Sequence, residues 1–291
     1  TAPLNAAGLR RDERLERLTL FGLSSPAILL ILVVLVIPVG WLFYVSFIGA
    51  NGQFSLENYE RMISRRSYLR TFITTFQVSL LTTGLCILIG YPFAYFMSQL
   101  PSRLANLCLI TVLLPFWTSL LVRTSAWIVV LQREGLVNDV LTGLSLVDDP
   151  LELIFNRFGV YVAMIHILLP FMVLPLYSVM QTIPPSYLRA AKSLGATNWT
   201  AFWRVYFPQS IPGIGAGSIL VFILSIGYYI TPEIVGGTSG IFISNRIAYH
   251  ISSSLNWGLA AALGTILLVV VLLLYWAYDR IVGIDNVKLG G

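Results

Sequence analysis

The chain has 291 residues, 57% hydrophobic and only 11% charged, with a mean hydropathy of +0.81. A soluble globular chain carries about 25% charged residues, so this composition excludes a water-solvated globule and points to a polytopic membrane protein. The net charge of +5 bears on topology and anionic lipid before nucleic acid, which is not an expected partner.

Residues 1–21 form a polar lead around the run RRDERLERL. Leu9, Leu15 and Leu18 are spaced for a short amphipathic helix on the membrane surface, with a solvated tail as the alternative. No cleavable signal peptide is expected, because the first apolar run is too long for an h-region and no small-residue cleavage site follows it. Requiring about 20 apolar residues per span predicts six spans, at 22–48, 70–98, 105–131, 158–182, 210–230 and 257–282. The expectation is an all-α membrane helix bundle in which 22–291 is one transmembrane domain. Pro26 and Pro38 are expected bends in the first span, and Pro92, Pro115, Pro170 and Pro175 lie inside the next three.

Charge orients the bundle. Of the 18 Lys and Arg, ten fall in segments on the side of the N-terminus, seven fall on the other side, and Arg123 lies inside a span. The count for the N-terminal side includes Lys288 in the tail, where Asp285 also lies. The excess places both termini in the cytoplasm. The stretch RMISRRSYLR at 61–70 runs against it. The outer segments 49–69 and 132–157 carry apolar periodicity and are expected to hold short helices. Residues 231–256, with Gly236, Gly237 and Gly240, read as a loop with close backbone packing.

No catalytic constellation is found. There is no nucleophile elbow, no GxxxxGK[ST] phosphate loop and no Cys/His cluster with zinc spacing, so neither enzymatic activity nor a metal site is expected. Cys86 and Cys108 each sit inside an apolar run and are read as small buried hydrophobes. Arg123, in PFWTSLLVRTSAW, either faces a cavity or snorkels to the interface. His166 is either a hydrogen-bonded interior histidine or a relay. Glu233 follows Tyr228 and Tyr229, a grouping suited to an amine cation, with helix capping as the plain alternative. Trp117, Tyr95 and Phe116 could line a path or serve as packing. An ion-coupled secondary transporter would need a carboxylate well inside a span, and the predicted spans contain none.

The stretch Pro184–Pro208, PPSYLRAAKSLGATNWTAFWRVYFP, is a polar break between two apolar runs. It predicts a helix–turn–helix. Ser186 caps the first helix, Gly195 is its left-handed stop, Thr197 caps the second, and Pro208 blocks the second helix from continuing. Trp199, Phe202, Trp203 and Tyr206 fall on one face. Periodicity alone leaves two readings open, a docking element for a cytoplasmic partner and an interfacial helix on lipid.

RAAKSLGATNWTAFWRVYFP resembles the signature cytoplasmic loop of binding-protein-dependent ABC importer permeases. Ala190, Ala191, Gly195 and Pro208 fall at matching spacing, Val205 stands for an isoleucine, Phe207 for a leucine, and Arg189 replaces a glutamate. GYPFAYFMS at 90–98, LLPFWTSLLVR at 113–123 and ILLPFMVLPLYS at 167–178 look like the spermidine/putrescine-type permeases. The resemblance implies the type I ABC importer permease fold in a bacterial inner membrane. It also implies that the loop carrying Arg189, Ala190, Ala191, Gly195, Ala196, Trp199, Arg204 and Pro208 couples to ATPase chains. The implied partners are a second homologous permease, two ATPase subunits that hold ATP and magnesium, and a periplasmic solute-binding protein. No cofactor is expected on this chain itself. The implied cargo is a small amine, a polyamine first, with an opine or a 4-aminobutyrate-like compound as the alternative. Glu233 aligns with an acid of the polyamine-type permeases.

Overall fold

A computed structural model of the chain describes residues 6–49 and 51–282. It is an all-α bundle; among the described residues the β features amount to one isolated bridge between Ile48 and Phe54. Five helices are long and apolar enough to cross a membrane, and a bent pair brings the number to six if it counts as one span. The tail residues Asp285 and Lys288 lie outside the described residues.

The centre of the bundle is α4 (Arg66–Ser98), α8 (Arg157–Thr182) and α11 (Phe207–Gly227). Val78, Cys86, Met164, Met172, Val173, Leu176 and Val221 are fully buried between them. Cys108 is half-buried, and both cysteines are free. Small residues let α11 approach α8 closely. A Cβ at Gly213 would meet the Leu176 Cα and Pro175 O at 3.2 Å, and one at Gly217 would meet the Met172 Sδ at 2.7 Å and O at 3.1 Å. Gly213 and Gly217 form a small-xxx-small pair, the usual device for helix contact in membranes.

A second cluster joins α14 (Trp257–Val282), α13 (Ile243–Ser252), α3 (Glu57–Ser64) and the start of α4 through Met62, Tyr68, Ile243, Leu259 and Leu263. His250 is buried beside it. Its Nε2 lies 3.0 Å from Tyr68 OH and its Nδ1 2.8 Å from Ser254 Oγ. Burial first, then the Arg246 and Arg61 guanidiniums, lowers the His250 pKa. The unfolded chain therefore takes up the proton more readily, so stability from this corner is complete above about pH 6.5 and declines as pH falls below it. Melts of the detergent-solubilised chain should give a lower midpoint at about pH 5.5 than at about pH 7.5. His250→Gln should shrink that difference; an unchanged difference would place the acid sensitivity elsewhere.

The first span belongs to a rod that starts well before it. α1 (Ala6–Ile31) passes residue 21 without a break, then continues through a π turn at Leu32–Val36 into α2 (Ile37–Ser46). The amphipathic lead is therefore not a separate short helix. The rod meets the bundle through α2 on α14.

Two prolines expected to bend or stop helices are absorbed by π turns. The Ile37 N–H reaches back to Leu32 O, and Pro38 follows; the Phe207 N–H reaches back to Phe202 O, and Pro208 follows. Proline lacks the N–H for the i→i−4 bond, and its ring clashes with that carbonyl. Widening the preceding turn to i→i−5 bonding makes room for the ring. Pro208 therefore does not end the second loop helix. α10 (Asn198–Ala201), the π turn Phe202–Tyr206 and α11 form one rod over Asn198–Gly227. The fifth span thus begins at the loop, not at residue 210.

The third predicted span is not one helix. α5 (Ser102–Leu113) leads into a 3-10 turn at Leu114–Trp117, and α6 (Leu120–Leu131) follows after a 96° bend. The two halves, Ser102–Trp117 and Leu120–Gly143, are long and apolar enough to cross only when counted together. Pro115 removes one helical N–H at the break, and Thr118 is extended.

The outer segments contain α3 and α7 (Leu136–Gly143), as periodicity predicts. Residues 231–256 are not a loop. They hold α12 (Ile230–Val235) and α13 around a tight turn, where a Cβ at Gly237 (φ +52°) would meet the Phe155 carbonyl oxygen at 2.1 Å.

Candidate functional site

The chain leaves α8 at Ile183 and Pro184 and enters α9 (Pro185–Ser193). Ser186 is not the cap. Pro184 occupies the N-cap and Pro185 the first helical position, where its fixed φ suits the helix and its missing N–H leaves nothing to satisfy. The C-terminus closes as the spacing predicts. Gly195 has φ +86°, its N–H donates to Lys192 O at 2.9 Å, and the Ala196 N–H donates to Ala191 O at 3.0 Å. These two bonds form a Schellman stop. Thr197 then caps the next helix, its Oγ1 accepting the Thr200 N–H at 3.2 Å.

The aromatic face divides in two. Phe202 and Tyr206 turn inward and pack edge-on against Tyr95, with centroids 5.2 and 5.0 Å away. Tyr206 OH pairs with Ser98 Oγ at 3.0 Å, and Tyr91 OH with Ser210 Oγ at 2.9 Å. These contacts lock the start of the Asn198–Gly227 rod to the end of α4. The rest of the loop faces outward. Leu194 is 89% exposed, Trp199 72%, and Tyr187 and Trp203 about half. Arg189, Ala190, Lys192, Gly195, Arg204 and Pro208 are exposed, whereas Ala191 and Ala196 are half-buried. An exposed apolar ridge of this kind, edged by cations, has the composition found at contact surfaces. Sequence reasoning missed Leu194 and Tyr187. The available signal was a leucine beside the C-terminal glycine, where no core contact could hold it.

The candidate path residues do not form one group. Tyr95 belongs to the loop end of the bundle, as its ring contacts show. Trp117 stands at the bend of the third span, 91% exposed, while its neighbour Phe116 packs edge-on to Phe171 at 5.1 Å. Arg123 in α6 is partly buried, and its Nε has no acceptor among the described residues. His166 accepts the Trp127 Nε1–H at 3.1 Å on Nδ1, which agrees with the interior hydrogen-bonded reading.

Tyr228, Tyr229 and Glu233 do come together at the opposite end of the Asn198–Gly227 rod from Trp199. The helix breaks at Tyr228 and restarts at Ile230, with Glu233 exposed in the first turn of α12. Asn245 on α13 pins this corner. Its Nδ2 donates to a Glu233 carboxylate oxygen at 2.6 Å and to Tyr229 O at 3.1 Å, and its Oδ1 accepts the Phe242 N–H at 2.9 Å. Ser244 Oγ satisfies Tyr228 O. Glu233 is thus an exposed carboxylate held by Asn245, on a corner whose Tyr228 and Tyr229 backbone carbonyls are tied to α13. Asn245 carries no signal in the sequence, because the glycines of 231–256 read as loop.

Residues 4–282 match the family described as "Binding-protein-dependent transport system inner membrane component". The chain is 33% identical over 231 residues to the spermidine/putrescine transport system permease protein PotB of Salmonella typhimurium, covering 78% of this chain and 80% of that protein. The PotB of Haemophilus influenzae is 33% identical over 242 residues, 81% of this chain and 84% of that one. In fold the chain is similar to a bacterial ABC transporter involved in import of the acidic polysaccharide alginate. The TM-score is 0.72 at 20% identity, over 94% of this chain and 99% of that one. A second alginate transporter structure, in complex with an alginate pentasaccharide-bound periplasmic protein, gives 0.73 at 19% identity, over 96% of each chain.

Proposed function

This chain belongs to the binding-protein-dependent transport system inner membrane components, and from that membership we propose that it moves a small amine-bearing solute, a polyamine foremost, by ATP-driven alternating access. The observation that carries the mechanism is the exposed ridge of Tyr187, Leu194 and Trp199 on a loop locked to the spans. In this reading both termini and the ridge face the cytoplasm. The ridge docks on two ATPase chains that hold ATP and magnesium. A second homologous permease completes the pore, and a periplasmic solute-binding protein delivers the cargo. In this reading the chain itself carries no enzymatic step.

The rod Asn198–Gly227 would act as the lever. Because it has no break at Pro208, displacement of Trp199 by a closing ATPase is passed to the Tyr228–Glu233 corner as rigid-body motion. α8 would move with it through the Gly213 and Gly217 contacts. The similarity to PotB supports a polyamine, and the exposed Glu233 carboxylate held by Asn245 suits an alkylammonium group through charge pairing, with Tyr228 and Tyr229 close in sequence as candidate cation–π partners.

In the reconstituted complex, Glu233→Gln should lower spermidine uptake on the order of tenfold, the equivalent of one charge contact of about 1.4 kcal/mol. Asn245→Ala should give part of that loss by releasing the carboxylate. Unchanged uptake by Glu233→Gln would remove this corner from the path and leave the transport reading standing.

A further inference from the structure

Four of the seven arginines on the side away from the N-terminus are gathered in one place. Arg66 and Arg70 from the first turns of α4, Arg157 from the first residue of α8 and Arg246 from the first turn of α13 line one cavity of about 650 Å3. It lies at the end of the bundle opposite the α9 loop. Its described lining contains no carboxylate, and none of the three helices carries an acidic residue in its first turn. The positive ends of three helix dipoles therefore add to four guanidinium charges.

The groups are set for a ligand. Arg157 is fixed, with Nε donating to Ser239 O at 3.1 Å and Nη2 to Thr74 Oγ1 at 3.0 Å. The Arg246 Nε is buried with no acceptor among the described residues. A charged donor left in that state is costly, and an anion in the cavity would supply the acceptor. Phosphate suits it better than a single carboxylate, because its oxygens accept from several guanidinium forks at once.

The surroundings indicate where the phosphate comes from. Arg66, Leu69, Arg70 and Ile73 fall at i, i+3, i+4 and i+7, one face of α4, and Leu69 and Ile73 are exposed. Leu80 and Leu88 are also exposed further down the same helix. Arginines at the end of a span above exposed apolar side chains match a phospholipid, with its headgroup on the guanidiniums and its chains along α4. We infer that this cavity binds the phosphate of an anionic phospholipid.

The test uses the full chain purified in detergent, by thermal melts and native mass spectrometry, with phosphatidylglycerol, phosphatidylcholine or inorganic phosphate added. Phosphatidylglycerol should raise the melting midpoint and be retained in the spectrum, and phosphatidylcholine should do neither. Arg70→Gln with Arg246→Gln should weaken phosphatidylglycerol binding on the order of tenfold or more. If that pair fails to fold, Arg66→Gln with Arg70→Gln, both exposed, carries the same expectation. Equal effects of the two lipids, or variants that bind phosphatidylglycerol like the parent, would overturn the inference. Stabilisation by inorganic phosphate that phosphatidylglycerol cannot displace would assign the site to free phosphate and overturn the lipid. Variants that keep the lipid in the spectrum but lose binding of an added solute-binding protein that the parent retains would make the cavity a protein-docking surface instead.

Discussion

Leu194→Asp is expected to abolish solute-dependent ATP hydrolysis in the assembled transporter while the chain still inserts and folds. Leu194 sits at the C-cap of α9 and is 89% exposed, so it contributes almost nothing to the core. A carboxylate at a helix C-terminus costs about 0.3–1 kcal/mol against the dipole, too little to unfold a bundle of this size. Within a docked interface the same carboxylate would be buried without a partner, which costs several kcal/mol. Gly195→Val should reach the same end differently. A Cβ there would meet no atom within 4 Å, but the backbone is held at φ +86°, where a non-glycine residue costs about 1–2 kcal/mol. The strain would turn α9 relative to the Thr197 cap and misplace the ridge. ATPase rates with and without a loaded solute-binding protein, beside uptake, measure both variants. Parental coupling in both would show that the ridge is not the contact.

Gly217→Leu is expected to prevent the bundle from forming. A Cβ at 217 would meet the Met172 Sδ at 2.7 Å and its backbone oxygen at 3.1 Å. The sulfur can swing aside, but the backbone of α8 cannot without pushing α11 away from fully buried Met172, Val173 and Leu176. Overpacking of this kind costs about 1–3 kcal/mol where side chains can yield; at a helix–helix backbone contact the upper end or more is expected. Size-exclusion profiles should show aggregate in place of the monodisperse parent, with Gly217→Ala intermediate. A Gly217→Leu protein with parental profile and melting midpoint would mean that the two helices are not closely packed at this point.

The spans were legible because apolar length is nearly sufficient to define them, and the observed helices at 66–98, 157–182 and 257–282 begin or end within a few residues of the expected bounds. What depends on backbone hydrogen bonding at prolines was not. Pro208 reads as a stop in any count of α-helical N–H groups, and only the π turn before it reveals one rod from Asn198 to Gly227. Pro115 reads as one more tolerated proline, yet there the chain turns by 96°. Its environment differs because Thr118 and Ser119 continue in extended geometry instead of repairing the helix. At the loop, Gly195 and Thr197 were legible because positive φ and a side-chain cap are local demands. Ser186 was misplaced because Pro185 competes for the same helix start with a preset φ. The Asn245–Glu233 pair bridges α12 and α13, two helices that glycine-rich sequence disguised as loop.

Contact between the loop around Gly195 and an ATPase on another chain can be trapped by placing a photo-crosslinking benzoylphenylalanine at position 194 in membranes that carry the whole transporter, then irradiating with and without ATP. A crosslink to the ATPase subunit, changed in yield by nucleotide, is the predicted result. A probe that labels only lipid, or that reacts with no protein in either nucleotide state, would contradict it.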